Sequence, residues 1–180
     1  MNNSYIVGEQ KKIFDKINQA VLNKKGGVYF LYGYGGTGKT FMWKTLSASL
    51  RSEGKVVLTV ASSGIASLLL PGGRTAHSKF KIPVPTLENS VCNIDQGSEA
   101  SELLKRAELI IWDEAPMAHK FCFEALDRTL NDIMKDGTKE NSVFGGKVIV
   151  FGGDFRQILP VIPGGTRSDI VNATVNSSYL

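Results

Sequence analysis

Cysteine is nearly absent. Two thiols in 180 residues, Cys92 and Cys122, cannot build a disulfide framework, and with no C-x-x-C pair they offer no paired-thiol metal site. Both read as ordinary reduced thiols, since free cysteine usually behaves as a small buried hydrophobe. Long apolar runs are missing as well: nothing approaches the roughly 18 residues needed to cross a bilayer. Met1-Asn2-Asn3-Ser4 has neither the basic lead nor the apolar stretch of a secretory signal, so no membrane partner is expected. There is no internal repeat, low-complexity block or linker, and the expectation is one domain over residues 1–180. Charge of one sign is only slightly in excess: 21 Lys+Arg against 17 Asp+Glu leaves +4. That permits a polyanionic partner without demonstrating one. A content of 42% hydrophobic and 21% charged residues is ordinary for a globular protein and excludes wholesale disorder. Composition thus points to a soluble, intracellular, single-domain protein and says nothing about chemistry.

Short apolar runs alternate with helical patterns along the chain. From Gly8 to Asn23, Ile13, Phe14, Ile17, Ala20 and Val21 share one helical face. Val28 to Tyr32 is branched and aromatic, predicting a buried strand. A glycine-rich turn follows, then a helix from Lys39 to Arg51 closed by Gly54. Lys55 to Val60 predicts a second strand and Gly64 to Leu70 a short helix stopped by Pro71. Arg74 to Gly97 is the least regular stretch, after which Ser98 or Ser101 can cap a helix reaching Ala107. Leu109 to Trp112 and Lys147 to Phe151 predict strands, with a helix from His119 to Met134 between them. Strands apolar throughout and separated by helices imply an α/β fold with a mainly parallel sheet and helices on both faces. Ligands in such folds sit beyond the carboxyl ends of the strands, where this chain carries Gly33–Thr40, Ala61–Ser63, Asp113–Glu114 and Asp154–Gln157.

Gly33-Tyr34-Gly35-Gly36-Thr37-Gly38-Lys39-Thr40 fits G-x-x-x-x-G-K-[ST]. Glycines let backbone N–H groups wrap phosphate oxygens, and the helix that follows directs its positive end at the anion. Lys39 would reach the β- and γ-phosphates, and the Thr40 hydroxyl would bind Mg²⁺. Gly33, Gly35 and Gly38 also spell the dinucleotide fingerprint G-x-G-x-x-G. That fold requires an acid about 20 positions on, where this chain has Ala61-Ser62-Ser63. The Lys39-Thr40 pair has no task there, so the loop is read as a nucleoside-triphosphate site.

Asp113 and Glu114 end an apolar strand. An acid at a strand tip beside a phosphate loop can hold Mg²⁺, and an adjacent one can deprotonate the attacking water. Asp113 is therefore assigned to the metal and Glu114 to the base; the competing reading makes Asp113 a helix cap and Glu114 a solvated side chain. Gln157, beyond the strand that ends in Gly152-Gly153-Asp154, is a candidate γ-phosphate sensor or, alternatively, a plain loop residue. Trp112 reads as core.

Three segments together resemble the superfamily-1 DNA helicases of the petite-integration-frequency (PIF-one-like) and RecD-like group: GYGGTGKT at 33–40, IIWDEAPM at 110–117 and FGGDFRQILPV at 151–161. The resemblance covers nearly the whole chain as a first RecA-like, P-loop NTPase domain. It implies ATP hydrolysis with Mg²⁺, 5′-to-3′ movement on single-stranded DNA, and no small-molecule substrate other than ATP. Roles in DNA repair, recombination or telomere maintenance follow, in the nucleus or in the mitochondrion. Gln10 matches the family's adenine-reading glutamine. Thr59 to Ala66 and Thr75 to Ser78 resemble its single-strand-binding region, implying DNA contacts from Ser62, Ser63, Arg74, His77, Lys79 and Lys81, although His77 also reads as a packed histidine.

The departure from the family is large. Its members bind ATP between two RecA-like domains, and the second would begin where this chain stops, at Leu180. Of six arginines only Arg156 and Arg167 lie near the last motif, and neither matches the family's finger position. Two other readings stay open: a small P-loop phosphotransferase, and a degenerate nucleotide- or DNA-binding module without turnover.

Overall fold

A computed structural model describes residues 8–135 and 142–180; the reading of Met1–Ser4 lies outside them. Five strands, β1 (Gly27–Tyr32), β2 (Val56–Ala61), β3 (Arg74–Thr75), β4 (Ala107–Asp113) and β5 (Val148–Gly153), form one sheet in the order β1-β5-β4-β2-β3. Every pairing is parallel. The helices are α1 (Glu9–Leu22), α2 (Lys39–Ser52), α3 (Gly64–Leu68), α4 (Ala76–Phe80), α5 (Glu99–Arg106), α6 (Lys120–Ile133) and α7 (Arg167–Asn172). None among the described residues is long and apolar enough to cross a membrane.

The alternation of side chains along β4 and β5 divides the core in two. Leu109, Ile111, Val148 and Val150 face α1 and α2, meeting Phe14, Ile17, Trp43 and Leu46. Ile110, Trp112, Ile149 and Phe151 face the other way, onto Phe80 of α4, Leu104 of α5 and Phe123 and Leu126 of α6. Successive strand residues point to opposite faces, and helices cover both, which is why Leu109–Trp112 of β4 and Val148–Phe151 of β5 are apolar without interruption.

Several expectations need correction. β1 is not a buried strand: Val28, Phe30 and Tyr32 are 39, 38 and 49% exposed. It lies at the sheet edge, paired with β5 among the described residues, and alternation turns Tyr29 and Leu31 into the α1–α2 layer. The irregular stretch from Arg74 opens with β3 and α4, whose start is capped by Thr75 accepting from the Ser78 amide. Ser98, not Ser101, caps α5, and β4 begins at once at Ala107 with no loop between. His119 is a cap as well: its Nδ1 accepts from the Phe121 amide at 3.2 Å, and α6 starts one residue later. α7 was not anticipated, although Thr166 and Asp169 form a capping box that announces it. Cys92 and Cys122 are free and buried as expected, and burial pushes the Cys92 thiol up to about 11.

Candidate functional site

The phosphate loop joins β1 to α2. Its first residue stays in the ladder, with the Gly33 amide donating to the Gly153 carbonyl at 3.2 Å. The turn closes on Thr37, whose hydroxyl donates to the Tyr34 carbonyl at 2.8 Å. Gly38 at the N-cap of α2 has φ +85°, and a Cβ there would come 2.7 Å from Nε2 of Gln10. The left-handed backbone favours glycine there, and a larger residue would also push the Gln10 amide aside. The Lys39 ammonium donates to the carbonyls of Gly33 and Tyr34, which places it at the mouth of the loop. Gln10 reaches the loop from α1, its amide donating to the Thr37 carbonyl at 3.1 Å. A cavity of about 270 Å³ opens here, lined by Gln10, Ile13, Tyr32, Gly38, Lys39 and Met42.

β4 and β5 deliver the acidic groups to the same end of the sheet. Asp113 is 6% exposed and its Oδ1 has no hydrogen-bond partner among the described residues. Glu114 follows in a left-handed conformation (φ 52°) that ends the strand. Burial raises its carboxyl above the ordinary range; the negative charges of Asp113 and Asp154 add to this, while Lys39 opposes it. Asp154 shapes the loop after β5: its Oδ1 accepts from the Arg156 amide and its carbonyl from the Gln157 amide. This turn sets Gln157 against the phosphate loop, with Nε2 3.9 Å from where a Cβ on Gly35 would stand. Lys39, Asp113, Glu114 and Gln157, far apart in sequence, thus converge on one edge. Among the described residues no three His, Cys, Asp or Glu side chains gather to cage a metal.

A larger cavity, about 490 Å³, lies at the opposite ends of the strands, among Gly26, Glu108 and Lys147. No motif residue touches it. Its Lys105 and Arg106 belong to the last turn of α5, where cations complement unpaired carbonyls.

The residues expected to meet DNA cluster beyond β2 and β3. Both serine hydroxyls are engaged as acceptors, Ser63 capping α3 through the Ala66 amide and Ser62 taking the Trp112 indole N–H at 2.9 Å. Arg74 and Lys81 are exposed. Desolvation lowers Lys79, with the Arg74 charge adding to it. His77 is half-buried, with Nε2 3.7 Å from Cys122 Sγ on α6, and burial lowers its pKa. Ile65, inside the stretch likened to the single-strand-binding region, and Leu68, which sequence reasoning did not single out, stand 82 and 84% exposed on α3 beside these serines.

A family model described as PIF1-like helicase matches residues 5–180. The chain belongs to that family. It is 32% identical over 157 residues to the ATP-dependent DNA helicase Pif1 of Campylobacter jejuni, covering 83% of this chain and 32% of that protein. It is 28% identical over 141 residues to human ATP-dependent DNA helicase PIF1, covering 78% and 21%. The structure of a Bacteroides Pif1 helicase in complex with ADP-AlF3 and ssDNA superposes with a TM-score of 0.68 at 28% identity, covering 93% of this chain and 36% of that one. Pif1 helicase from Candida albicans shares the fold, with a TM-score of 0.72 at 24% identity over 97% of this chain and 36% of that one. This PIF1-like chain therefore spans about a third or less of the length of these relatives.

Proposed function

We propose that this chain is the first RecA-like motor domain of a 5′-to-3′ DNA helicase, binding and hydrolysing ATP and contacting single-stranded DNA. The observation that carries the reading is convergence: the Gly33–Thr40 loop, the Asp113–Glu114 pair and Gln157 meet at the carboxyl ends of adjacent strands in a PIF1-like chain. Lys39 balances charge on the β- and γ-phosphates, and Gln10 lies where an adenine can be read. Gln157 reports on the γ-phosphate, since it stands against Gly35. Glu114 takes the proton of the attacking water, and its raised pKa strengthens it as a base. The partnerless, buried Oδ1 of Asp113 fits a site for Mg²⁺, which Thr40 and Asp113 would hold. When bound, the ion neutralises charge building up on the phosphate oxygens.

DNA would lie across the loops at 61–67 and 74–81. Arg74, Lys79 and Lys81 meet phosphates, while Ile65 and Leu68 offer apolar surface to bases. A second RecA-like domain would supply the remaining wall and the γ-phosphate arginines, worth about 10³–10⁵ in rate, so these 180 residues alone turn over slowly and do not unwind duplex. Service in DNA repair, recombination or telomere maintenance, in the nucleus or the mitochondrion, accords with this chemistry.

Calorimetric titration with Mg·ADP tests the reading. Lys39→Ala removes a charge-assisted contact worth about 1.5–3 kcal/mol, so affinity falls roughly 10- to 100-fold. Equal affinity in wild type and variant would overturn the assignment of the loop.

A further inference from the structure

We infer that Trp112 is a positioning residue that ties the carboxylate pair of β4 to both DNA-facing segments, through its indole hydrogen bond to Ser62 and its ring contact with Phe80. The inference rests on the function proposed above and adds to it a named route between the two ligand sites.

Trp112 immediately precedes Asp113 and is fully buried. It pairs with Val60 in the ladder, and Asp113 pairs with Ala61. The ladder then runs one residue further, because the Ser62 amide donates to the Asp113 carbonyl at 3.1 Å. The Ser62 hydroxyl accepts from Trp112 Nε1 at 2.9 Å. Two successive residues of β4, the second a site carboxylate, therefore grip the first residue of the loop that leads to Ser63 and α3. On its ring face Trp112 lies 5.8 Å from Phe80, the last residue of α4, whose turn carries His77 and Lys79. Phe123 of α6 and Phe151 of β5 pack around the rest of the ring at 4.6 and 6.1 Å.

An apolar side chain of similar volume would fill this core equally well but could not hold Ser62, since the indole N–H is the donor and the bond is directional. A serine hydroxyl that accepts one hydrogen bond still has its O–H to donate, and a DNA phosphate oxygen can accept it. Ser62 can thus hold strand and indole together. A close-packed ring does not deform gradually, so a shift of the Asp113–Glu114 strand end is passed to Ser62 and Phe80 at once.

Coupling between sites is reciprocal, so it appears as the factor by which nucleotide changes DNA affinity. The measurement is fluorescence anisotropy of labelled oligothymidine on the 180-residue chain, with and without Mg²⁺ and a non-hydrolysable ATP analogue. The parent should show a factor of about 5 or more. Trp112→Phe and Ser62→Ala should each bring it close to one, the double variant no further, and Ser62→Thr, which keeps the hydroxyl, should retain it. Leu130→Ala, a cavity in the same core away from the indole, should lower Tm yet leave the factor intact, which separates positioning from stability. A parent-like factor in both Trp112→Phe and Ser62→Ala, additive losses, or an equal loss in Leu130→Ala would refute the route. Binding of both ligands without coupling in the parent would remove the inference alone; binding of neither would remove the proposed function with it.

Discussion

Gly152→Ala joins fold and site in one substitution. Gly152 sits on β5 beside β4, and a Cβ there would press into the Trp43 ring, inside contact distance of Cζ2 and 3.3 Å from Cε2, and lie 3.0 Å from Asp113 Oδ1. Trp43 has 0% exposure, and its ring has no free end to swing aside. Overpacking of this kind costs about 1–3 kcal/mol. For a domain of this size each kcal/mol shifts Tm by about 2–4 °C, so the fall should be roughly 2–12 °C. The strain has two outlets, and both lead to the site: Trp43 belongs to α2, three residues after Thr40, and Asp113 is the proposed metal ligand. The variant should therefore also bind Mg·ADP more weakly, with the loss smaller when Mg²⁺ is omitted. Gly64→Ala, at the first residue of α3, is the control, because among the described residues nothing lies within 4 Å of its added Cβ. Thermal unfolding with calorimetry of both variants decides the matter. A Gly152→Ala protein that melts and binds like the parent would show that β4 and β5 do not pack as described.

Glu114→Gln should leave nucleotide binding intact while single-turnover hydrolysis falls by about 10²–10⁴; because the Glu114 pKa is raised, the parent rate should already decline on acidification above the pH at which an ordinary glutamate protonates. The sign for stability is opposite: a raised carboxyl favours the folded state below that pKa and costs stability as pH rises through it, so Glu114→Gln should increase Tm at neutral pH, and an unchanged pH–rate profile in the variant would transfer the base to another residue. Binding to oligothymidine should weaken with salt at a log–log slope of about −2, three phosphates met by Arg74, Lys79 and Lys81 at about 0.7 each, and a slope near zero in salt titrations would exclude that surface.

What the sequence determined by itself is local and chemical. The phosphate loop is legible because its glycines and Lys39-Thr40 serve a contiguous turn, and the carboxylates are legible because they end an apolar run that can only be an interior strand. The amphipathic face of α1 follows from its period, and the two covered faces of β4 and β5 follow from apolar runs that do not alternate. Tertiary structure decided the rest, since neighbours in space leave no mark on spacing. That β1 is an edge with Val28 and Phe30 partly exposed depends on the strand order, which the residues of β1 do not encode. The seat of Gln157 beside Gly35 depends on the Asp154 turn meeting a loop more than 100 residues earlier. Trp112 is the clearest instance. Its apolar surroundings placed it in the core, correctly, but the one polar atom of its ring finds Ser62 only because β2 and β4 lie side by side, and a hydrogen bond between strands is written in their register rather than in either strand.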